Sequence, residues 1–141
     1  MASAMYPRGL QAFLAGELSW KAASPTDFKV YLLDSTAAYS AAHQDMADIA
    51  ADQYASGVTS ALTSLTNTNG LADAGNPTIS SLAQSASLVV SAMVLYYAHA
   101  SAASATLIAY YSASSVTGLP LTPNGGDVTI QWHASGAFKF T

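Results

Sequence analysis

The chain has 141 residues, a mass of 14.5 kDa, a net charge of −4 and no cysteine. That length suits one domain with a real core, and the missing thiols exclude a disulfide framework or a thiolate metal site. Only 9% of residues are charged, against about 25% in ordinary domains, so the basic footprint of a nucleic-acid binder is absent.

The distribution of charge is as informative as its amount. No Lys or Arg lies between Lys29 and Lys139, and between Asp52 and Asp127 the only charge is Asp73. Eight tyrosines and 51% hydrophobic residues argue against disorder, despite the abundance of Ala, Ser, Thr and Gly. A surface of Ser, Thr and Ala is one that another protein covers with little desolvation cost, because interface cores are depleted in charge. The bland explanation is an Ala-rich host genome; we favour assembly. The first residues lack the continuous apolar stretch of a secretory signal, since Arg8, Gln11 and Glu17 interrupt it. The longest apolar run, 88–98, is broken by Ser91 and too short for a membrane-spanning helix. No membrane partner is expected.

In chain order, Tyr6 to Trp20 reads as a helix, with Leu10, Phe13, Leu14 and Leu18 at helical spacing and Pro7 in the first turn. Gly16 weakens its centre, and Trp20 is expected to anchor its end against the body. Ser24-Pro25-Thr26-Asp27 is a predicted turn. Phe28 to Leu33 is a predicted strand, with Phe28, Val30 and Leu32 on one face and Lys29 and Tyr31 on the other. Residues 37–52 return to helical spacing through Tyr39, His43, Met46 and Ile49, as a short helix or a loop built on one helical turn. Asp45 and Asp48 are expected to face solvent.

Residues 53–82 alternate small polar and apolar groups, which suits strands, and Asn69-Gly70 is a hairpin turn signal. Gly75-Asn76-Pro77 is a second breaker before a short strand at 78–80. Leu88 to Tyr97 is apolar enough to be a central strand buried on both faces. After a small-residue turn at 101–105, Thr106 to Tyr111 pairs back on it, and Val128 to Trp132 is expected to close the meander. Pro120, Pro123 and Gly125-Gly126 occupy the linker between them, and Gly136 marks a turn before a strand at 138–140. The predicted architecture is mainly β: a small antiparallel β-sandwich or rolled sheet of about six to eight strands with one or two short helices, one of them N-terminal. Residues 1–141 form one domain, with 1–20 as a helical arm and 28–141 as the β-body.

Catalytic chemistry finds no support. His43, His99 and His133 form no paired metal-ligand spacing, and no Gly-x-Ser-x-Gly elbow occurs. Asp45 and Asp48 read as a solvated helix face rather than an acid–base pair, and the stretch 45–52 lacks the glycine and closing glutamate of a calcium loop. Gly125-Gly126 has no lysine or following helix to make a phosphate loop. No enzyme activity, metal or cofactor is expected. The aromatic residues offer more. Tyr96-Tyr97 and Tyr110-Tyr111 each place one ring on either strand face, so paired strands could line an exposed face with two rings. Equally, cross-strand aromatic pairs stabilise a sheet without any partner. The candidate partner-binding residues are Phe13, Leu14 and Trp20 on the arm, with Tyr96, Tyr97, Tyr110 and Tyr111 on the strands.

Residues 9–20 (Gly-Leu-Gln-Ala-Phe-Leu-Ala-Gly-Glu-Leu-Ser-Trp), 28–35 (Phe-Lys-Val-Tyr-Leu-Leu-Asp-Ser), 107–111 (Leu-Ile-Ala-Tyr-Tyr) and 118–132 (Gly-Leu-Pro-Leu-Thr-Pro-Asn-Gly-Gly-Asp-Val-Thr-Ile-Gln-Trp) together resemble a recurrent family of small tailed-phage virion proteins encoded among head and tail genes. The ends carry the resemblance, and residues 54–86 depart from the pattern. The resemblance implies a virion structural role, assembled in the host cytoplasm, with the major capsid protein or other virion proteins as partners. A capsid decoration or cement protein, homo-oligomeric and trimeric at local three-fold positions, is the first expectation. A tail, baseplate or head–tail connector component is the second. A carbohydrate-binding adhesin module, using tyrosines and Trp132 as stacking platforms, is the third.

Overall fold

Period-two alternation in three long strands decides the architecture. The computed structural model describes residues 2–20, 27–99, 101 and 103–139. Along β2 (Phe28–Asp34), Phe28, Val30 and Leu32 share one face and Lys29, Tyr31 and Leu33 the other. Strand β7 (Val90–Tyr97) runs antiparallel beside it, with Val30 opposite Leu95 and Leu32 opposite Met93. Strand β8 (Thr106–Ser112) pairs with the other edge of β7. Leu95 faces Ala109 while Tyr96 faces Leu107, so Ile108 is the extra residue of a bulge. Short β1 (Ala4–Met5) and β3 (Gln53–Val58) complete an antiparallel sheet of order β1-β8-β7-β2-β3.

One face of this sheet is covered by a second layer of small sheets. It comprises β4 (Thr66–Thr68), β5 (Leu71–Asp73) and β10 (Phe138–Lys139) in the order β10-β5-β4, and a pair formed by β6 (Thr78–Ile79) and β9 (Val128–Thr129). The main core lies between the layers, where Phe28, Val30, Leu95, Tyr111, Ile130, Trp132 and Phe138 are buried. A smaller core on the opposite face joins Leu33, Val94, Tyr96 and Leu107 to Tyr6, Met46 and Ile49. The protein is therefore a mainly β, antiparallel, sandwich-like fold with two short helices, one near its N-terminus. Central β7 is buried on both faces, as its run of apolar residues predicts.

Turn chemistry matches the sequence where the backbone demands it. Asn69 and Gly70 both have positive φ (52° and 79°) between β4 and β5, the two-residue turn whose twist suits a hairpin. The turn expected at 24–27 lies almost wholly outside the described residues, as do Ala102 of the 101–105 turn and Phe140 of the last strand.

Three expectations need correction. Strand β9 does not close a meander on β8; it pairs with β6 in the second layer. The outer edge of β8 is already occupied, because Ser3 and Tyr6 donate amides to Tyr110 and Ile108 and the Leu107 amide bonds the Gln44 carbonyl. A chain leaving β8 finds no free ladder there and crosses to the other layer. The N-terminal helix α1 spans only Pro7–Leu14, because Gly16 (φ 75°) ends it rather than weakening its centre. Glu17 N bonds Ala12 O and Gly16 N bonds Phe13 O, the paired bonds of a Schellman cap. Residues 37–52 take the second of their two expected forms, a loop that becomes helical only at its end, as a 3₁₀ helix over Met46–Asp52. Finally, residues 1–20 are not an arm standing apart from the β-body. Strand β1 extends the sheet, Tyr6 and Ala12 are fully buried, and Leu18 and Trp20 sit in the core.

Candidate interaction site

Helix α1 lies on β8 through its small residues. An added Cβ at Gly9 would come within 2.6 Å of Leu107 O and 2.8 Å of Ile108 Cα, so the helix and strand backbones are in direct contact. With Gly9 and Ala12 turned inward, Leu14 is forced outward and is 87% exposed. The apolar stripe that the helical spacing defines is thus turned partly to solvent. Phe13 lies between the two environments, half-buried, 6.2 Å from the Phe28 ring in a stacked arrangement and 5.9 Å from that of Phe138.

Trp20 anchors the segment as predicted, and more firmly than an apolar contact alone would. Its ring packs 4.7 Å from Phe28 and 5.0 Å from Phe138, and its Nε1 donates to the carbonyls of Thr66 and Asp73. Asn67 Nδ2 returns a bond to the Trp20 carbonyl, tying the β4–β5 hairpin to the N-terminal segment. Phe28 continues the aromatic row to Tyr97 at 5.1 Å, and Tyr97 to His99 at 4.6 Å. Phe13, Trp20 and Tyr97 are therefore brought into one row along the main core. Beside it lies a shallow depression of about 340 Å³ lined by Phe13, Leu18, Trp20, Leu71 and Phe138. The Arg8–Glu17 pair, 2.6 Å apart, is the one ion pair among the described residues and sits on the solvent side of this helix.

The strand tyrosines are a correction. Tyr96, Tyr110 and Tyr111 are buried at 7%, 8% and 1% exposure, so they line no open face. Register explains why the expected ring-on-ring ladder fails: Tyr96 lies opposite Leu107, and Tyr110 opposite Val94. The segment leading into the 3₁₀ helix covers that face, with Tyr39 packed between Tyr6 (5.1 Å) and Tyr110 (5.9 Å). Burial pushes the Tyr96 hydroxyl up to about 12, and it raises those of Tyr6, Tyr110 and Tyr111 as well. For Tyr6 the neighbouring Tyr110, Tyr39 and Asp52 add to the effect of burial, and for Tyr110 Asp52 does. All four stay neutral at physiological pH. Tyr111 satisfies its hydroxyl by donating to Ala137 O on the far layer.

The carboxylates of the 3₁₀ segment are caps. Asp45 Oδ1 accepts from Ala47 N, and Asp48 Oδ2 accepts from the amides of Gln44 and Asp45, a reciprocal capping box. Those two amides hold the Asp48 carboxyl below its ordinary value. A carboxyl held lower in the folded state than in the unfolded one stabilises above about pH 4, and that contribution is lost as the pH falls through its folded value. Asp48→Asn is accordingly expected to lower stability at pH 7 and to flatten the acid limb, measured by urea unfolding at pH 7 and pH 3. Among the described residues no three His, Asp or Glu side chains converge to hold a metal ion.

A second concavity was not legible in the sequence. A cleft of about 500 Å³ opens between the main sheet, the segment 115–121 and β9. Its floor is buried and apolar, formed by Leu32, Val90, Met93, Tyr111, Ile130 and Trp132. Its mouth carries Val116, Thr117, Leu119, Thr129, Gln131 and His133, and among the described residues no Asp, Glu, Lys or Arg lines it. Trp132 is fixed in place by its own polar groups: its amide donates to Asn76 Oδ1 and its Nε1 to Gly75 O. The signal that could have found the cleft is the Gly118 to Gly126 linker, which reads as a connector within a meander but in fact carries the chain between layers.

Compared with family models, curated proteins and solved structures, the chain has no match.

Proposed function

We propose that the chain is a structural protein of a tailed-phage virion, bound to the outer face of the major capsid lattice as a decoration or cement protein. The observation that carries this reading is the nearly charge-free body. Arg8, Lys29 and Lys139 are the only cations among the described residues, and Asp73 is the only charge in the whole span between Asp52 and Asp127. A lattice protein covers such a surface without stranding a charge away from water. The resemblance of residues 9–20, 28–35, 107–111 and 118–132 to small virion proteins points the same way.

A trimer at local three-fold positions is the assembly that closed symmetry favours. A tail, baseplate or connector position fits the same surface and differs in copy number. No observation favours a saccharide module, since the rings it would need, Tyr96, Tyr110, Tyr111 and Trp132, are all buried within the chain.

The test is co-sedimentation of the purified full chain with capsid shells assembled without it. Saturable binding at a fixed ratio to the capsid subunits is expected, together with greater resistance of decorated shells to urea. Shells that neither bind the chain nor gain resistance would overturn the cement reading.

A further inference from the structure

The cleft is bounded on one side by a strand edge that the chain leaves unpaired. In the β6–β9 pair, Thr129 faces Thr78 and Val128 faces Ile79, and beyond the strand Ile130 N donates to Pro77 O. Antiparallel pairs alternate between hydrogen-bonded and non-bonded positions. The Ile130–Pro77 bond therefore makes 129/78 a non-bonded pair, with its side chains close together. The Thr78 and Thr129 hydroxyls lie 2.8 Å apart, as that register requires. It follows that the main-chain N–H and C=O groups of Thr129 and Gln131 are directed away from β6. Among the described residues neither main chain makes a hydrogen bond outside that ladder, and both residues are exposed.

Both residues also line the mouth of the 500 Å³ cleft, whose floor is apolar and whose lining, among the described residues, holds no Asp, Glu, Lys or Arg. An open strand edge beside an apolar recess is what strand addition uses: main-chain bonds supply affinity, and a recess takes alternate side chains of the added segment. The side of β8 away from β7, by contrast, is already closed by Ser3, Tyr6 and Gln44. Natural edges are commonly guarded by lysine or proline, yet 128–133 holds neither.

We propose that the β9 edge accepts an extended, uncharged peptide segment of the capsid lattice protein, which pairs with Thr129 and Gln131 and places alternate apolar side chains in the cleft. The occupant's chemistry follows from the site. Two residues' worth of unused amide and carbonyl groups call for a peptide backbone, and a lining without Asp, Glu, Lys or Arg calls for neutral, partly apolar side chains. This inference rests on the virion reading above.

The test compares amide hydrogen exchange in the free chain with that in the chain bound to capsid shells, and adds two variants. The expected result is slowed exchange at Thr129 and Gln131 on binding. Gln131→Pro removes an amide that serves nothing within the fold, and Thr117→Glu places a charge at the mouth of the cleft on an exposed residue. Each is expected to weaken shell binding by about tenfold or more while leaving the melting transition of the free chain nearly unchanged. Should Gln131→Pro disturb the fold, Thr117→Glu and the exchange pattern of the native chain decide. Shell binding with unprotected Thr129 and Gln131 amides, or at full strength in Thr117→Glu, would overturn the strand-addition site and leave the cement reading standing. Protection arising in the free chain with rising concentration would assign the edge to a second copy and also overturn it. Absence of shell binding altogether would overturn both.

Discussion

Replacing Gly9 by alanine is expected to destabilise the fold by about 2–3 kcal/mol, even though alanine is the better helix former by about 1 kcal/mol. The two effects have opposite signs, so the measured sign decides which contact matters. The added methyl would meet the Leu107 carbonyl at 2.6 Å and Ile108 Cα at 2.8 Å, and both are backbone atoms of a buried central strand that cannot swing aside. Helix α1 would have to lift from β8, disturbing the neighbouring contacts of Tyr6 and Ala12. Urea unfolding of Gly9→Ala checks this. A stabilised variant would show that the helix rides farther from the sheet than described. Gly16→Ala is the control, since nothing lies within 4 Å of its added Cβ and only its φ of 75° is strained. Its cost is expected near 1 kcal/mol.

Trp20→Ala is expected to cost about 4 kcal/mol, enough to leave a domain of this size marginal. Three losses combine. The ring's packing against Phe28 and Phe138 goes, the carbonyls of Thr66 and Asp73 lose their shared donor, and a cavity opens under the β4–β5 hairpin. Trp20→Phe keeps most of the packing and loses the two bonds, so about 1–2 kcal/mol is expected. The same geometry predicts that a chain lacking residues 1–20 fails to fold, since it loses Tyr6, Ala12, Leu18 and Trp20 from the core and β1 from the sheet. Thermal unfolding followed by near-ultraviolet circular dichroism separates the variants. A truncated chain with native tertiary signal would show that residues 1–20 are an arm separate from the β-body.

How far the sequence could be read depended on what kind of contact each element makes. Strands β2, β7 and β8 were legible because alternation or an unbroken apolar run is a property of one segment alone. The Asn69-Gly70 turn was legible because positive φ at two successive positions selects those residues. The partner of β9 was not, because it depends on which edges the N-terminal segment and Gln44 have already taken. The buried side of α1 was misread for a related reason. Gly9 and Ala12 permit the closest backbone approach and so face inward, whereas a hydrophobicity pattern gives weight to Leu10 and Leu14. The tyrosines were visible as candidates, but their register against leucine and valine, and their cover by Tyr39 and Met46, belong to the assembled fold. The cleft followed β9 into the second layer and was invisible for the same reason.

The cement reading rests finally on where the chain resides and in how many copies. Quantitative mass spectrometry of purified virions, giving its molar ratio to the major capsid protein, measures both at once. A ratio of about one, or about one third, is expected for a protein that occupies the lattice symmetrically. A ratio of about a few per cent, as symmetry at a single vertex or along a tail would give, or absence from the particle, would contradict it.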